Sequence, residues 1–189
     1  MGLQRLTHGF GPFFDEDSEV LVLGSFPSVK SREQQFYYGH PQNRFWRLMT
    51  ILYECGGDIR GISEQSVPQT KVEEQAFAKK HHIALWDVIA SCDIEGSADS
   101  SIRNAEVNDL SKIIPKTSVR KILVNGGTAC KLFEKQMMPQ AIELGIPMEN
   151  CMKMPSTSPA NAQWSMQRLL EAWGEALNEV VMGEQHCCS

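Results

Sequence analysis

The residues best equipped for chemistry gather in one stretch, Gly24 to Trp46, which reads GSFPSVKSREQQFYYGHPQNRFW. Prolines, glycines, aromatics, His40 and Asn43 are too concentrated there for a plain connector. A long aromatic loop of this kind is more often functional than incidental. Asn43 is a neutral amide and cannot be a strong base. It can hold a water molecule through its amide oxygen or cap the helix that follows. Asp87 ends another apolar run, where a carboxylate can accept an N–H or cap a helix. Ser25, Ser28, Ser156 and Ser158 offer hydroxyl donors, or they satisfy turns. These types need no nucleophilic relay, and none of Ser-His-Asp or Cys-His form is read here.

The elements that must position these groups are legible as apolar runs. Val20 to Leu23 and Ile122 to Val124 read as strands buried on two faces. Ile83 to Trp86 is a shorter candidate, and Cys151 to Met154, stopped by Pro155, a weaker one. Helical spacing joins Phe45, Trp46, Met49, Leu52 and Tyr53, then Val72, Ala76 and Phe77. Thr128 to Met137 reads as a helix through Ala129, Leu132 and Phe133. Met166, Leu169, Leu170, Trp173, Leu177 and Val180 form a long amphipathic stripe. Strand and helix alternate, which predicts a layered α/β fold with a mostly parallel, four-stranded sheet. The polar loops after the four strands then fall along one edge, where open α/β sheets bind ligands.

The chain has 189 residues, enough for one domain with a sizeable core. We assign that domain to residues 1–182 and a polar tail to 183–189. No apolar run is long enough to span a membrane, and the N-terminus has no signal-peptide pattern, so a cytoplasmic or nucleoid-associated monomer is expected. Six cysteines contain no C-x-x-C pair, which predicts reduced thiols, the first four buried, and neither metal nor cluster. The formal net charge is −5, a mild argument against a polyanionic partner. Local charge reverses it: from Gly24 to Thr50 the cations Lys30, Arg32, Arg44 and Arg47 face one acid, Glu33.

Five motifs in order carry a resemblance. Gly24-Ser25-Phe26-Pro27-Ser28 is similar to the first active-site motif of the uracil-DNA glycosylase superfamily. Tyr38-Gly39-His40-Pro41-Gln42-Asn43-Arg44-Phe45-Trp46 resembles the next segment of its mismatch-specific uracil/thymine branch and, more closely, of its hypoxanthine-DNA glycosylase branch. Trp86 to Cys92 with Gly96-Ser97 and Asp99-Ser100, Asn125-Gly126-Gly127-Thr128-Ala129, and Pro155 to Ala162 fit the hypoxanthine branch too. The likeness runs from about Leu21 to Trp173. Two positions depart from the superfamily at large. Phe26 stands where many members carry a water-handling acid or amide, and Ser156 where a His or Asn usually opens the last motif.

The resemblance implies a single-domain, three-layer α/β/α sandwich that hydrolyses the N-glycosidic bond of a flipped, deaminated base in DNA, without cofactor or metal. It assigns catalysis to Asn43, which steers water, and to Ser156 and Ser25 as donors to the leaving base. Tyr38, then Phe26, would stack on the base, Trp86 would wall the pocket, and Asp87 would read its N–H with help from Ser28 and Ser158. His40, Arg44 and Lys30, with Lys131, become candidate phosphate contacts. Pro159, Ala160 and Asn161 would press into the groove. Three other readings stay open at this point: a uracil or mismatched-thymine glycosylase, a catalytically weak damage-binding protein, and a nucleotide-binding α/β protein, for which Gly126-Gly127 is a weak signal.

Overall fold

The computed structural model describes residues 4–95 and 101–181. Gly96, Ser97, Asp99 and Ser100 of the third motif, and the tail with Cys187 and Cys188, lie outside the described residues. In chain order the elements are β1 (Gln4–Thr7), β2 (Val20–Gly24), α1 (Val29–Gln34), α2 (Phe45–Glu54), α3 (Lys71–Lys80), β3 (Ile83–Asp87), β4 (Ile89–Ile94), β5 (Arg103–Val107), β6 (Lys121–Asn125), α4 (Gly127–Leu132), α5 (Met138–Glu143), β7 (Cys151–Met154) and α6 (Met166–Val181).

The apolar runs become the central sheet because only a strand covered on both faces can bury such a run. Its order is β3-β2-β6-β7, parallel throughout. Every residue of β2, β3 and β6 is buried. Register places Gly24 beside Asp87 and Asn125 beside Met154, so the four carboxyl ends share one edge. With the right-handed crossovers that parallel strands favour, this order puts the β2-to-β3 connection over one face and the β6-to-β7 connection over the other. Accordingly α6 packs on α2, and α5 packs on the turn at Leu110. The stripe on α6 buries Leu169, Leu170, Trp173 and Leu177. Trp173 also donates its indole N–H to the Pro155 carbonyl, 3.1 Å away, tying helix to loop.

A second sheet, antiparallel with order β1-β4-β5, was not anticipated. Single-residue Val88 separates β4 from β3, so the chain passes from one sheet to the other just after Asp87. Strands β1 and β5 are mostly exposed and carry no apolar alternation. Charge holds them instead: Arg5 donates to Ser91 and to the Asn104 carbonyl, and pairs with Glu106 and Asp93.

Three local expectations change. Val72 is 74% exposed, because α3 docks through Phe77, Ala78 and Glu74. The helix expected from Thr128 widens into a π turn over Phe133–Met137 before α5, burying Phe133 and Met137. Of the first four cysteines, all without a disulfide, Cys92 and Cys130 are buried and Cys55 and Cys151 only half-buried.

Candidate active site

The loops beyond the four strand ends enclose a cleft of about 980 Å³. Its lining combines Gly24 to Ser28, Tyr38, Asn43, Asp87, Asn125 to Ala129 and the loop from Pro155 to Asn161 except Pro159. Asp87 is its only carboxylate among the described residues.

Asn43 is fixed by bonds to its oxygen. Its Oδ1 accepts the Phe45 backbone N–H at 3.0 Å, as a helix-capping oxygen does, and the Thr157 hydroxyl at 2.9 Å. An amide oxygen has two lone pairs, so these two donors fill it. The expected use of that oxygen for water therefore gives way. The amide that remains for the cleft is Nδ2, a donor. Thr157 is itself wholly buried, accepts from Asn125 Nδ2 at 3.0 Å and donates its N–H to Asn125 Oδ1 at 3.1 Å. Asn125 thus orients Thr157, and Thr157 orients Asn43.

Arg44 does not reach outward as a phosphate contact would. Its guanidinium donates to the carbonyls of Ser156, Thr157, Ser158, Asn161 and Trp164. Its backbone N–H donates to the Thr157 carbonyl as well. Five donors in a rigid fork suit this gathering of carbonyls. Partial burial lowers the guanidinium pKa. Asn161 Nδ2 closes the same loop on the Ser156 carbonyl at 2.9 Å. The loop approaches the facing chain so closely that a Cβ at Gly126, where φ is +99°, would stand 3.2 Å from the Ser156 Cβ.

On the opposite wall Asp87 is 4% exposed and bonded through Oδ2 to Nε2 of His8, 2.7 Å away. The other His8 nitrogen, Nδ1, lies 2.6 Å from the Phe10 carbonyl. Asn108 donates to the Asp87 carbonyl at 2.9 Å, holding the backbone. The free oxygen, Oδ1, occupies the space a Gly24 side chain would fill: a Cβ there would lie 2.2 Å from it. Tyr38 takes φ +57° and stacks on Phe45 with centroids 3.9 Å apart, so one ring face is used within the protein. Its Oη is sealed from solvent without a hydrogen bond. Burial first, and the charge of Asp87 second, push this phenol far above its ordinary pKa; the neighbouring Asn125 amide pulls weakly the other way without reaching hydrogen-bond geometry.

The other predicted residues divide. Ser25, Phe26, Ser28, Ser156, Ser158, Ala160 and Asn161 line the cleft. Ser28 is also the N-cap of α1, accepting from Ser31. Ser156 and Ser158 accept from the N–H groups of Ser158 and Ala160. Phe26 lies under the Arg32 guanidinium, 5.9 Å from centroid to Cζ. Trp86 is 3% exposed in the core and outside the lining. Also outside it are His40, which accepts from the Gln42 N–H, Lys30, which pairs with Glu33, exposed Lys131, and exposed Pro159.

Five residues carry no individual site role in the sequence reading: His8, Thr157, Asn125, Arg32 and Lys153. Thr157 and Asn125 sit inside quoted motifs, so the signal was present and their side chains were passed over. Arg32 and exposed Lys153 line the cleft, and neither has an acid partner among the described residues. His8 has no motif around it; only the second sheet brings it near Asp87, through the bond from its N–H to the Ala90 carbonyl.

The chain is 34% identical over 166 residues to a protein of Methanosarcina acetivorans named hypoxanthine DNA glycosylase, covering 86% of this chain and 93% of that one. A protein of the same name from Methanosarcina barkeri is 32% identical over 168 residues, covering 89% and 96%. The solution NMR structure of a provisionally named uracil DNA glycosylase from Methanosarcina acetivorans superposes with a TM-score of 0.64 at 31% identity, covering 89% of this chain and 96% of that one. The model of the uracil DNA glycosylase superfamily matches residues 12–179, which span all four strands of the central sheet and every cleft loop, and the chain belongs to that superfamily.

Proposed function

We propose that the protein excises hypoxanthine from DNA by hydrolysing its N-glycosidic bond, and that it leaves an abasic site. The observation that carries this reading is the charge inventory of the cleft. Among the described residues its one carboxylate is bonded to His8, and the group facing the reaction is a neutral amide locked from behind. The described residues of this site offer no strong general base. Such a site suits a bond that breaks dissociatively, with positive charge on the sugar, where a weak nucleophile needs position more than activation.

Within this reading a flipped base enters the cleft. Asn43 holds the attacking water through Nδ2, which leaves a second lone pair on that water for the sugar carbon. Donors in the Gly24 to Ser28 loop and the Ser156 hydroxyl meet the charge growing on the leaving base. Oδ1 of Asp87 accepts the N1–H of hypoxanthine. Adenine presents a lone pair there and is rejected, since both acceptors would stay unpaired. Arg32 and Lys153 take the phosphate contacts first given to Lys30 and Arg44. The names of the two Methanosarcina proteins support hypoxanthine over uracil, as do Phe26 and Ser156 at the two departing positions.

Duplexes holding one hypoxanthine, uracil or mispaired thymine, incubated with protein and cleaved by alkali, test the reaction. Strand cleavage is expected at hypoxanthine first, with no adduct trapped by borohydride, because no Schiff base forms on Lys153. Asn43→Ala should lower single-turnover rate on the order of 10²-fold. Cleavage at none of the three bases, with hypoxanthine duplex still bound, would replace the enzyme with a damage binder.

A further inference from the structure

We infer that His8 is a specificity-determining positioning residue: it holds Asp87 so that the oxygen facing the cleft can only accept a hydrogen bond. The inference rests on the glycosylase reading above and names what sets its choice of base. His8 precedes the residues matched by the superfamily model, which begin at position 12.

Hydrogen-bond polarity fixes the arrangement. A carbonyl only accepts, so the 2.6 Å contact with Phe10 places a proton on Nδ1. The 2.7 Å contact between Nε2 and Oδ2 then needs one further proton, because a bare nitrogen facing a bare carboxylate would set lone pair against lone pair. That proton sits on Nε2, giving imidazolium and carboxylate, or on Oδ2, giving imidazole and carboxylic acid. Both arrangements leave Oδ1 with no hydrogen. Oδ1 has no hydrogen-bond partner among the described residues, and Asp87 lines the cleft. It therefore seeks a ligand N–H: N1–H of a 6-oxopurine, or N3–H of a 4-oxopyrimidine, and never the bare N1 of adenine.

The His8 ring is held on several sides. Phe10 meets it edge-on at 4.6 Å, Phe26 at 6.2 Å, and Tyr37 lies at 6.1 Å. Its 6% exposure leaves no room for solvent to take its place at Oδ2. Without His8, Oδ2 loses its donor, and the carboxyl group is free to rotate or to turn an O–H into the cleft, where it would donate to adenine N1.

The same polarity argument makes a second, less obvious prediction. Phe10 fixes the Nδ1–H tautomer, so in Asp87→Asn the unprotonated Nε2 accepts from the new amide. The amide oxygen then faces the cleft, and the reader keeps its acceptor.

The experiment compares wild type, His8→Phe, His8→Gln and Asp87→Asn on duplexes carrying hypoxanthine or 1-methylhypoxanthine, which has no N1–H. KM and kcat are measured separately, with melting temperature alongside. His8→Phe should lose at least tenfold of the preference for hypoxanthine, mainly through KM. His8→Gln, which retains a donor for Oδ2, should recover most of it. Asp87→Asn should be slower yet keep the preference. An active wild type whose preference is the same in His8→Phe, or a His8→Gln no better than His8→Phe, would overturn the role of His8 alone. A wild type that releases neither base would overturn the glycosylase reading and this inference together.

Discussion

The two walls of the cleft are built on opposite electrostatic plans. The β6/β7 wall, with Asn43 attached, is braced by neutral amide, hydroxyl and carbonyl groups, plus one arginine turned inward on five carbonyls. The β2/β3 wall rests on a single buried pair, His8 and Asp87, reached from a separate sheet. The first plan fixes geometry without placing formal charge on the reacting sugar. The second presents one acceptor of defined polarity. A dissociative reaction on a flipped base needs both and needs them apart, because a free carboxylate beside the amide would change which atom handles water.

Arg44 gives the largest expected contrast between a cation that builds a wall and one that meets the ligand. Arg44→Ala removes the guanidinium that gathers five carbonyls and frees the loop that carries Thr157. We expect single-turnover rate to fall on the order of 10²-fold, since a shift of about 1 Å in a positioning group is enough for that, together with a lower melting temperature. Arg44→Lys should recover little, because one ammonium cannot span the fork. The slope of log affinity against log salt should hardly move. A lost slope with normal rate would mean that Arg44 faces phosphate after all.

Arg32 and Lys153 should behave in the reverse way. Each stands at the cleft without an acid partner among the described residues. Removing either, as Arg32→Ala or Lys153→Ala, should weaken duplex binding several-fold and reduce the salt slope by about 1. The loss should fall on KM. Titrations of each variant at several salt concentrations measure this directly, and an unchanged slope in both would move the phosphate track elsewhere.

This contrast also explains what was legible from sequence. The central sheet announced itself because β2, β3 and β6 are buried at every residue, and continuous apolar runs have few other uses. The cleft followed, because the loops after such strands converge by topology. Asn43 and Asp87 were visible as chemical types in those loops. Their partners were not. Thr157 and Asn125 matter through the register between loops separated by 32 positions. His8 matters through a sheet whose edge strands are polar and short, with no periodic signal to read. Arg44 and Lys30 follow a related rule: a sequence shows that a cation is present, and only the structure shows the carbonyls around Arg44 and the Glu33 beside Lys30.

Glu74 offers the mildest test, by setting a second buried carboxylate against Asp87. It is 6% exposed, close to the 4% of Asp87, but it lies on α3 away from the cleft and has no basic partner among the described residues. Burial, and then the neighbouring Glu73, raise its pKa from 4.5 to about 7. The folded protein therefore keeps a proton that the unfolded chain releases across this window. Stability contributed at low pH is lost as pH rises from 4.5 toward 7 and stays lost above it. Glu74→Gln removes the charge that must otherwise be buried, so it should stabilise by about 1–3 kcal/mol at pH 8. That corresponds to a melting temperature higher by roughly 2–12 °C for a chain of this size. Below pH 4 the two proteins should melt together, and excision rates should match throughout. A stabilisation equal at both pH values would assign the gain to packing, and the contrast between a partnered and an unpartnered carboxylate would lose its electrostatic basis.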